Sequence, residues 1–151
     1  RISLYLYEPN SRRFSFFVRR SPNPDFERKG RTYFPANEGV IGKAWSHGWH
    51  FENEVPVDNY AARLFHLNRY DISDEQSRGF TMPARLLAAK KILDNSGRPL
   101  ASLVVESVNP AAYSEEELKV FMSEAAEQLS ELLQSFQSYL PSTDDAEVAG
   151  F

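Results

Sequence analysis

Cysteine is absent from this 151-residue chain. That excludes disulfides, thiolate nucleophiles, Cys-ligated zinc or iron–sulfur clusters, and any thioether anchor for a chromophore. A cytoplasmic setting is compatible with such a composition and is the expectation. Long apolar runs are also missing: no stretch of about 18 apolar residues occurs, so membrane contact by this segment is not expected. The first residues, Arg1-Ile2-Ser3-Leu4, carry neither an initiator methionine nor a signal-peptide pattern, and the chain reads as a piece of a larger protein. Motifs of catalysis are equally scarce. There is no G-x-S-x-G, no H-E-x-x-H and no phosphate-cradling glycine loop, so the expectation is a non-enzymatic protein with no catalytic residues.

What is present describes an ordinary folded domain. Hydrophobic residues make up 42% of the chain and charged residues 25%, enough for one domain around one core. Aromatics reach 13%, with 11 phenylalanines, and provide bulk for a core or a pocket wall. The net charge of −4 hides a gradient. Residues 1–31 hold eight bases against three acids, whereas from Ser114 onward nine acids face Lys119 alone. The basic hairpin would attract phosphate in isolation, but in an acidic chain it reads as a solvated face, and nucleic acid is not an expected partner.

Periodicity supplies the elements. Residues 2–7 and 13–20 alternate in period two around the turn formers Glu8-Pro9-Asn10-Ser11, predicting a β-hairpin. In its second strand Phe14, Phe16 and Val18 are read as inward and Arg13, Ser15 and Arg19 as outward. Ile41, Ala44 and Trp45 at i, i+3, i+4 predict a short helix, with Asn37 as N-cap and Gly48 as left-handed C-cap. A short strand is predicted over residues 49–55. Residues 56–80 show few clear periods apart from Ser73-x-x-Gln76, a capping box. Residues 85–93, the turn Asp94-Asn95-Ser96-Gly97 and residues 100–108 predict a second hairpin, its last strand apolar on both faces and hence covered on both sides.

The final helix has the strongest signature. Ser114-Glu115-Glu116-Glu117 is a capping box, and the three glutamates suit the positive end of the helix dipole. Leu118, Met122, Ala125, Leu129, Leu132, Phe136 and Tyr139 then recur in steps of four and three, a heptad stripe fit for a partner helix. A second stripe, Phe121, Ala126, Leu133 and Leu140, widens the apolar face. Residues 141–151 are polar and acidic, and a disordered tail is expected there.

Several strings, taken in order, resemble the GAF family. Asn37-Glu38-Gly39-Val40-Ile41-Gly42-Lys43-Ala44-Trp45 is similar to its glycine-flanked helix start. Glu54-Val55-Pro56-Val57-Asp58-Asn59-Tyr60 is similar to its pocket-entry loop. Gly97-Arg98-Pro99-Leu100-Ala101-Ser102-Leu103-Val104-Val105-Glu106-Ser107 resembles its turn and central strand. Pro110-Ala111-Ala112-Tyr113-Ser114-Glu115-Glu116-Glu117-Leu118 resembles the entry to its last helix. The resemblance covers residues 1–140 and implies an α+β fold: a central antiparallel sheet, PAS-related, flanked by helices and ended by a long C-terminal helix. The helix that precedes the first strand in the family has no counterpart here.

The resemblance further implies a sensory or regulatory domain that binds a small molecule, dimerises, or does both to control an output domain elsewhere in the protein. A ligand-free interaction module acting through the last helix is the alternative. Bilin attachment and methionine-sulfoxide reduction use cysteine in the family, and the cyclic-nucleotide signature is not present. The expected pocket residues are Trp45 and Phe65 for stacking, Arg85 for a carboxylate or phosphate, Asp58 for a donor group, and Tyr60 and Glu106 on the wall. The expected homodimer helix carries Leu118, Met122, Ala125, Leu129, Leu132 and Phe136. His47-x-x-His50 with Glu52 and Glu54 has metal-ligand chemistry, but Gly48 interrupts the helix between the histidines; no metal is assigned, and the cofactor stays unknown.

Overall fold

In the computed structural model, residues 1–28 and 30–136 are described. The expected tail at 141–151, and Tyr139 and Leu140 of the helical stripes, lie outside the described residues. The elements run β1 (Ile2–Glu8), β2 (Arg13–Arg20), β3 (Tyr33–Pro35), α1 (Gly39–His47), β4 (Trp49–Glu52), α2 (Asn59–Tyr70), α3 (Asp74–Arg78), β5 (Leu86–Leu93), β6 (Pro99–Ser107) and α4 (Glu115–Phe136). The strands form a single sheet in the order β3-β2-β1-β6-β5-β4, with every neighbouring pair antiparallel. This is the expected α+β architecture.

Alternation on β5 and β6 sorts the core into two layers. Leu86, Ala88 and Ile92 of β5 and Leu103 and Val105 of β6 face α4, where Leu118, Met122, Ala126 and Leu133 cover them. Ala89 and Val104 face the other way, toward Ile41 and Ala44 of α1 and toward Tyr5 and Phe14. Strand β6 is therefore covered on both sides, as its composition predicts.

One irregularity changes the reading of β2. The register between β1 and β2 shifts at Leu4/Tyr5, where Leu4 faces Val18 but Tyr5 faces Phe16, leaving Phe17 as the extra residue of a bulge. The phase of the strand flips there. Phe14 and Phe16 look toward α1, Val18 looks the other way, and Arg19, read from alternation as outward, is buried at 8% exposure.

Local chemistry sets the helix ends. Gly48 closes α1 at φ 83°, but the N-cap is Glu38 rather than Asn37, and Glu38 makes no side-chain cap bond. Asp58 caps α2 by accepting from Tyr60 N and Ala61 N. Ser73 and Gln76 form the expected capping box of α3. Ser114 and Glu117 bond reciprocally at the start of α4. Helix α2 and strand β3 are additions to the elements predicted.

The β5–β6 turn is organised by Asp94, a buried carboxylate that accepts from Arg98 N, Ser96 N and Arg98 Nε. These bonds, the Arg98 backbone amide first, favour the ionised form and hold the Asp94 pKa below the ordinary aspartate value. A depressed folded-state pKa stabilises the fold above the unfolded value, and that contribution is lost as pH falls through the folded value. Asp94→Asn is expected to lower stability at pH 7 and to flatten the acid limb of the stability profile below about pH 4. Urea titrations from pH 7 to pH 2 check this; parallel profiles for the two proteins would refute it.

Candidate functional site

The sheet face opposite α4 is roofed unevenly. Helix α1 lies directly on β4, β5 and β6, whereas α2, α3 and the segment 79–84 roof the rest of the face, with Phe65 and Tyr70 reaching Leu87, before Arg85 joins the sheet by donating its N–H to Ser107 O. Between them and the sheet lies a cavity of about 1160 Å³, somewhat larger than ordinary small-molecule sites. Its floor is formed by Leu87, Val104, Glu106, Tyr5 and Arg19, and its apolar roof includes Ile41, Ile72, Phe80 and Met82.

The floor is charged. Glu106 receives two hydrogen bonds from Arg1, from Nε and Nη2, each 2.6 Å. Burial opposes the Arg1 charge, but the bonds and charge of Glu106 outweigh it, and the guanidinium pKa is raised. Arg19 donates from Nε to Ser3 Oγ at 2.9 Å, from Nη1 to Arg28 O and from Nη2 to Tyr5 Oη, both at 3.0 Å. All three acceptors are neutral. Arg85 donates from Nε to Val55 O at 3.3 Å.

The roof carries a buried imidazole. His66, at 8% exposure, lies edge-on to Phe80, and its Nδ1 finds no hydrogen-bond partner among the described residues. Burial lowers its pKa, so the ring is neutral at pH 7. At the end of α2, Tyr70 Oη lies 3.0 Å from His50 Nε2 of β4. Burial raises the tyrosine pKa and lowers that of the histidine, so both are uncharged and their hydrogen bond pins α2 to the sheet edge.

Of the six pocket residues expected from sequence, the structure places Arg85 and Glu106 on the cavity wall. The other four lie elsewhere, each for a local reason. Trp45 packs against Tyr7 and Phe14, with ring centroids 4.3 and 4.7 Å away, because its turn of α1 faces the β1–β2 end of the sheet. Phe65 packs toward Val55, Tyr70, Ile72 and Leu87 inside the core. Asp58 spends its carboxylate on the α2 cap. Tyr60 points to solvent at 63% exposure. His47 and His50 also separate: His47 Nδ1 approaches Lys43 O and His50 contacts Tyr70. Among the described residues no cluster of three metal-ligating side chains forms.

The expected dimer stripe is also redistributed. Leu118 and Met122 are buried against the sheet, with Ala125 and Leu129 packed beside them, so these four serve the domain's own core. Leu132 and Phe136 are about half exposed, as are Val120 and Phe121. The sheet claims the face that includes Ala126 and Leu133, which turns the heptad stripe partly to solvent. No helix of the described residues is long and apolar enough to cross a membrane.

Sequence reasoning missed Arg19 and His66. Arg19 was hidden by the bulge, and His66 is a polar residue on the inner face of a helix that also exposes Tyr60, Leu64 and Leu67, so apolar periodicity alone does not mark it. The cue for Arg19 was the long run of alternation in a strand opposite the Ser3 and Tyr5 hydroxyls, but the register was needed to use it.

No family model matches the chain, and no curated protein does. Solved structures do match in fold. The GAF domain of a phosphoenolpyruvate-protein phosphotransferase from Coxiella burnetii superposes with a TM-score of 0.67 at 16% identity, over 91% of this chain and 73% of that one. Free methionine-R-sulfoxide reductase from Neisseria meningitidis, solved with its substrate, gives 0.64 at 17% identity, over 92% and 70%. A domain of a putative two-component sensor histidine kinase from Sinorhizobium meliloti gives 0.57 at 14%, over 91% and 81%. The reductase corrects the expectation of a non-enzyme: a fold this similar carries an enzyme, so fold and family resemblance give no ground for excluding catalysis.

Proposed function

Taking as premise that this chain has the GAF fold, we propose that it is a sensory or regulatory domain of a larger signal-transduction protein, which reads a small molecule in the cavity between sheet and α2–α3. The observation that carries this reading is the cavity itself, large, mostly apolar and furnished with a buried imidazole, His66, whose Nδ1 has no partner among the described residues. The neighbours from a phosphotransferase and a sensor kinase support the signalling context. A cytoplasmic location fits the same reading.

A physical route from cavity to output follows from the pleat. Leu87, Val104 and Glu106 face the cavity, while their strand neighbours Leu86, Leu103 and Val105 pack under α4. A ligand that orders α2 and α3 against the sheet therefore bears on the same two strands that seat α4. Homodimerisation is the second reading. It is favoured by the exposed Phe121, Leu132 and Phe136 along one side of α4.

Native mass spectrometry of protein purified without refolding is the test. A co-purified small mass, or a metabolite that raises the melting temperature by about 5 °C at saturating concentration, is the expected result. Apo protein whose melting temperature stays fixed across a broad metabolite panel would count against ligand sensing.

A further inference from the structure

Building on the small-molecule reading, we infer that the cavity selects an oxyanion carried on an apolar body, with Arg85 and Arg19 as its counter-charges. The cavity wall contains six arginines and three glutamates. Four of the arginines have carboxylate partners: Arg1 with Glu106, Arg31 with Glu38, and both Arg63 and Arg78 with Asp74 just behind the wall. Glu75, the third glutamate, is exposed at the rim. Arg19 and Arg85 have no carboxylate partner among the described residues.

That arrangement is electrostatically incomplete. A buried cation surrounded by neutral acceptors loses its hydration without gaining a counter-charge, and supplying the counter-charge is the usual remedy. Arg19 is buried and meets neutral groups alone: Ser3, Tyr5, the Arg28 carbonyl and the face of the Phe16 ring. Arg85 is half-buried and spends only Nε on the protein, so both terminal amino groups remain for a ligand. A guanidinium edge matches two oxygens of a carboxylate or phosphate in one plane, whereas a neutral amide offers one acceptor and an amine none. Glu106 does not answer this demand, because Arg1 already occupies both of its oxygens.

The remaining wall defines the rest of the ligand. Ile41, Ile72, Phe80 and Met82 provide an apolar sleeve, and the neutral, unpartnered Nδ1 of His66 offers one hydrogen bond to a polar substituent on the ligand body. The charge repels amines. The sleeve disfavours small inorganic anions, which leave it empty.

The experiment uses this chain with four aromatic probes of similar size, phenylpyruvate, phenyl phosphate, phenylacetamide and phenethylamine, together with inorganic phosphate. Binding is read by saturation-transfer NMR and titration calorimetry. The two anionic aromatics are expected to bind at least about tenfold more tightly than the amide, the amine and inorganic phosphate. Comparison of phenylpyruvate with phenyl phosphate distinguishes a carboxylate from a phosphate ligand. Arg85→Met is expected to erase most of the tenfold preference while leaving amide binding unchanged, and Arg85→Lys to restore part of it; circular dichroism verifies that both variants fold. Equal binding of anion and amide, or an anion preference untouched in Arg85→Met, overturns the anion assignment while leaving ligand sensing intact. Failure of all five probes counts against the small-molecule reading itself and the anion assignment with it.

Discussion

Met122→Ala is expected to destabilise the domain by about 2–5 kcal/mol, whereas Leu132→Ala is expected to change stability by at most about 0.5 kcal/mol. Both residues belong to the same heptad stripe of α4, so the sequence treats them alike. The fold does not. Met122 is fully buried among Leu86, Ala88, Leu103 and Val105, and its removal leaves a cavity in a layer closed on both sides. Leu132 is 50% exposed and loses little on truncation. Urea melts of the two single variants provide the comparison. The same helix tests the proposed dimer: Leu132→Glu with Phe136→Glu is expected to leave stability nearly unchanged and, if the chain pairs through α4, to halve the mass seen by light scattering. Unaltered mass in a wild-type dimer would place its interface elsewhere, and comparable destabilisation by Met122→Ala and Leu132→Ala would show that the two faces of α4 are misassigned.

The second large effect concerns the first turns of α1. A Cβ at Gly42 would stand 2.6 Å from the carbonyl oxygen of Asn37 and 3.0 Å from its Cα. Those are backbone atoms and cannot swing aside as a flexible side chain would. Alanine improves intrinsic helix propensity by about 1 kcal/mol, yet the clash opposes it, and Gly42→Ala is expected to cost a net of about 2 kcal/mol. Gly30→Ala is the control, because nothing lies within 4 Å of where its Cβ would stand. The consequence extends to the cavity. Asn37 leads directly into Glu38, Gly39 and Val40 on the cavity wall, so relief of the clash displaces that wall. A thermal melt should show the loss for Gly42→Ala alone, and an unchanged melting temperature would mean that the 36–39 loop yields freely.

These two cases mark the boundary between what local sequence encodes and what packing decides. Gly48, Ser73, Gln76, Ser114 and Glu117 were legible because caps are satisfied within a few residues of themselves. The two hairpins were legible because strand alternation and turn chemistry are equally local. Helix α2 was not. Its inner face mixes Ala62, Phe65 and Tyr70 with the polar His66, while Tyr60, Leu64 and Leu67 remain exposed, so apolar residues lie on both sides and periodicity does not single out the inner one. Strand β3 spans only Tyr33–Pro35, too short for alternation to register.

By itself the sequence determined the α+β class, the C-terminal helix with its capping box and the second hairpin. Tertiary structure decided which side of each element faces inward. A bulge opposite Leu4 and Tyr5 reversed the phase of β2 and drew Arg19 under the roof. Trp45 went to the aromatic layer with Tyr7 and Phe14, and the sheet took the Met122 side of α4. The reason is physical: propensity, capping and alternation act over a few residues, whereas burial of a given face depends on register and on partners far away in the chain.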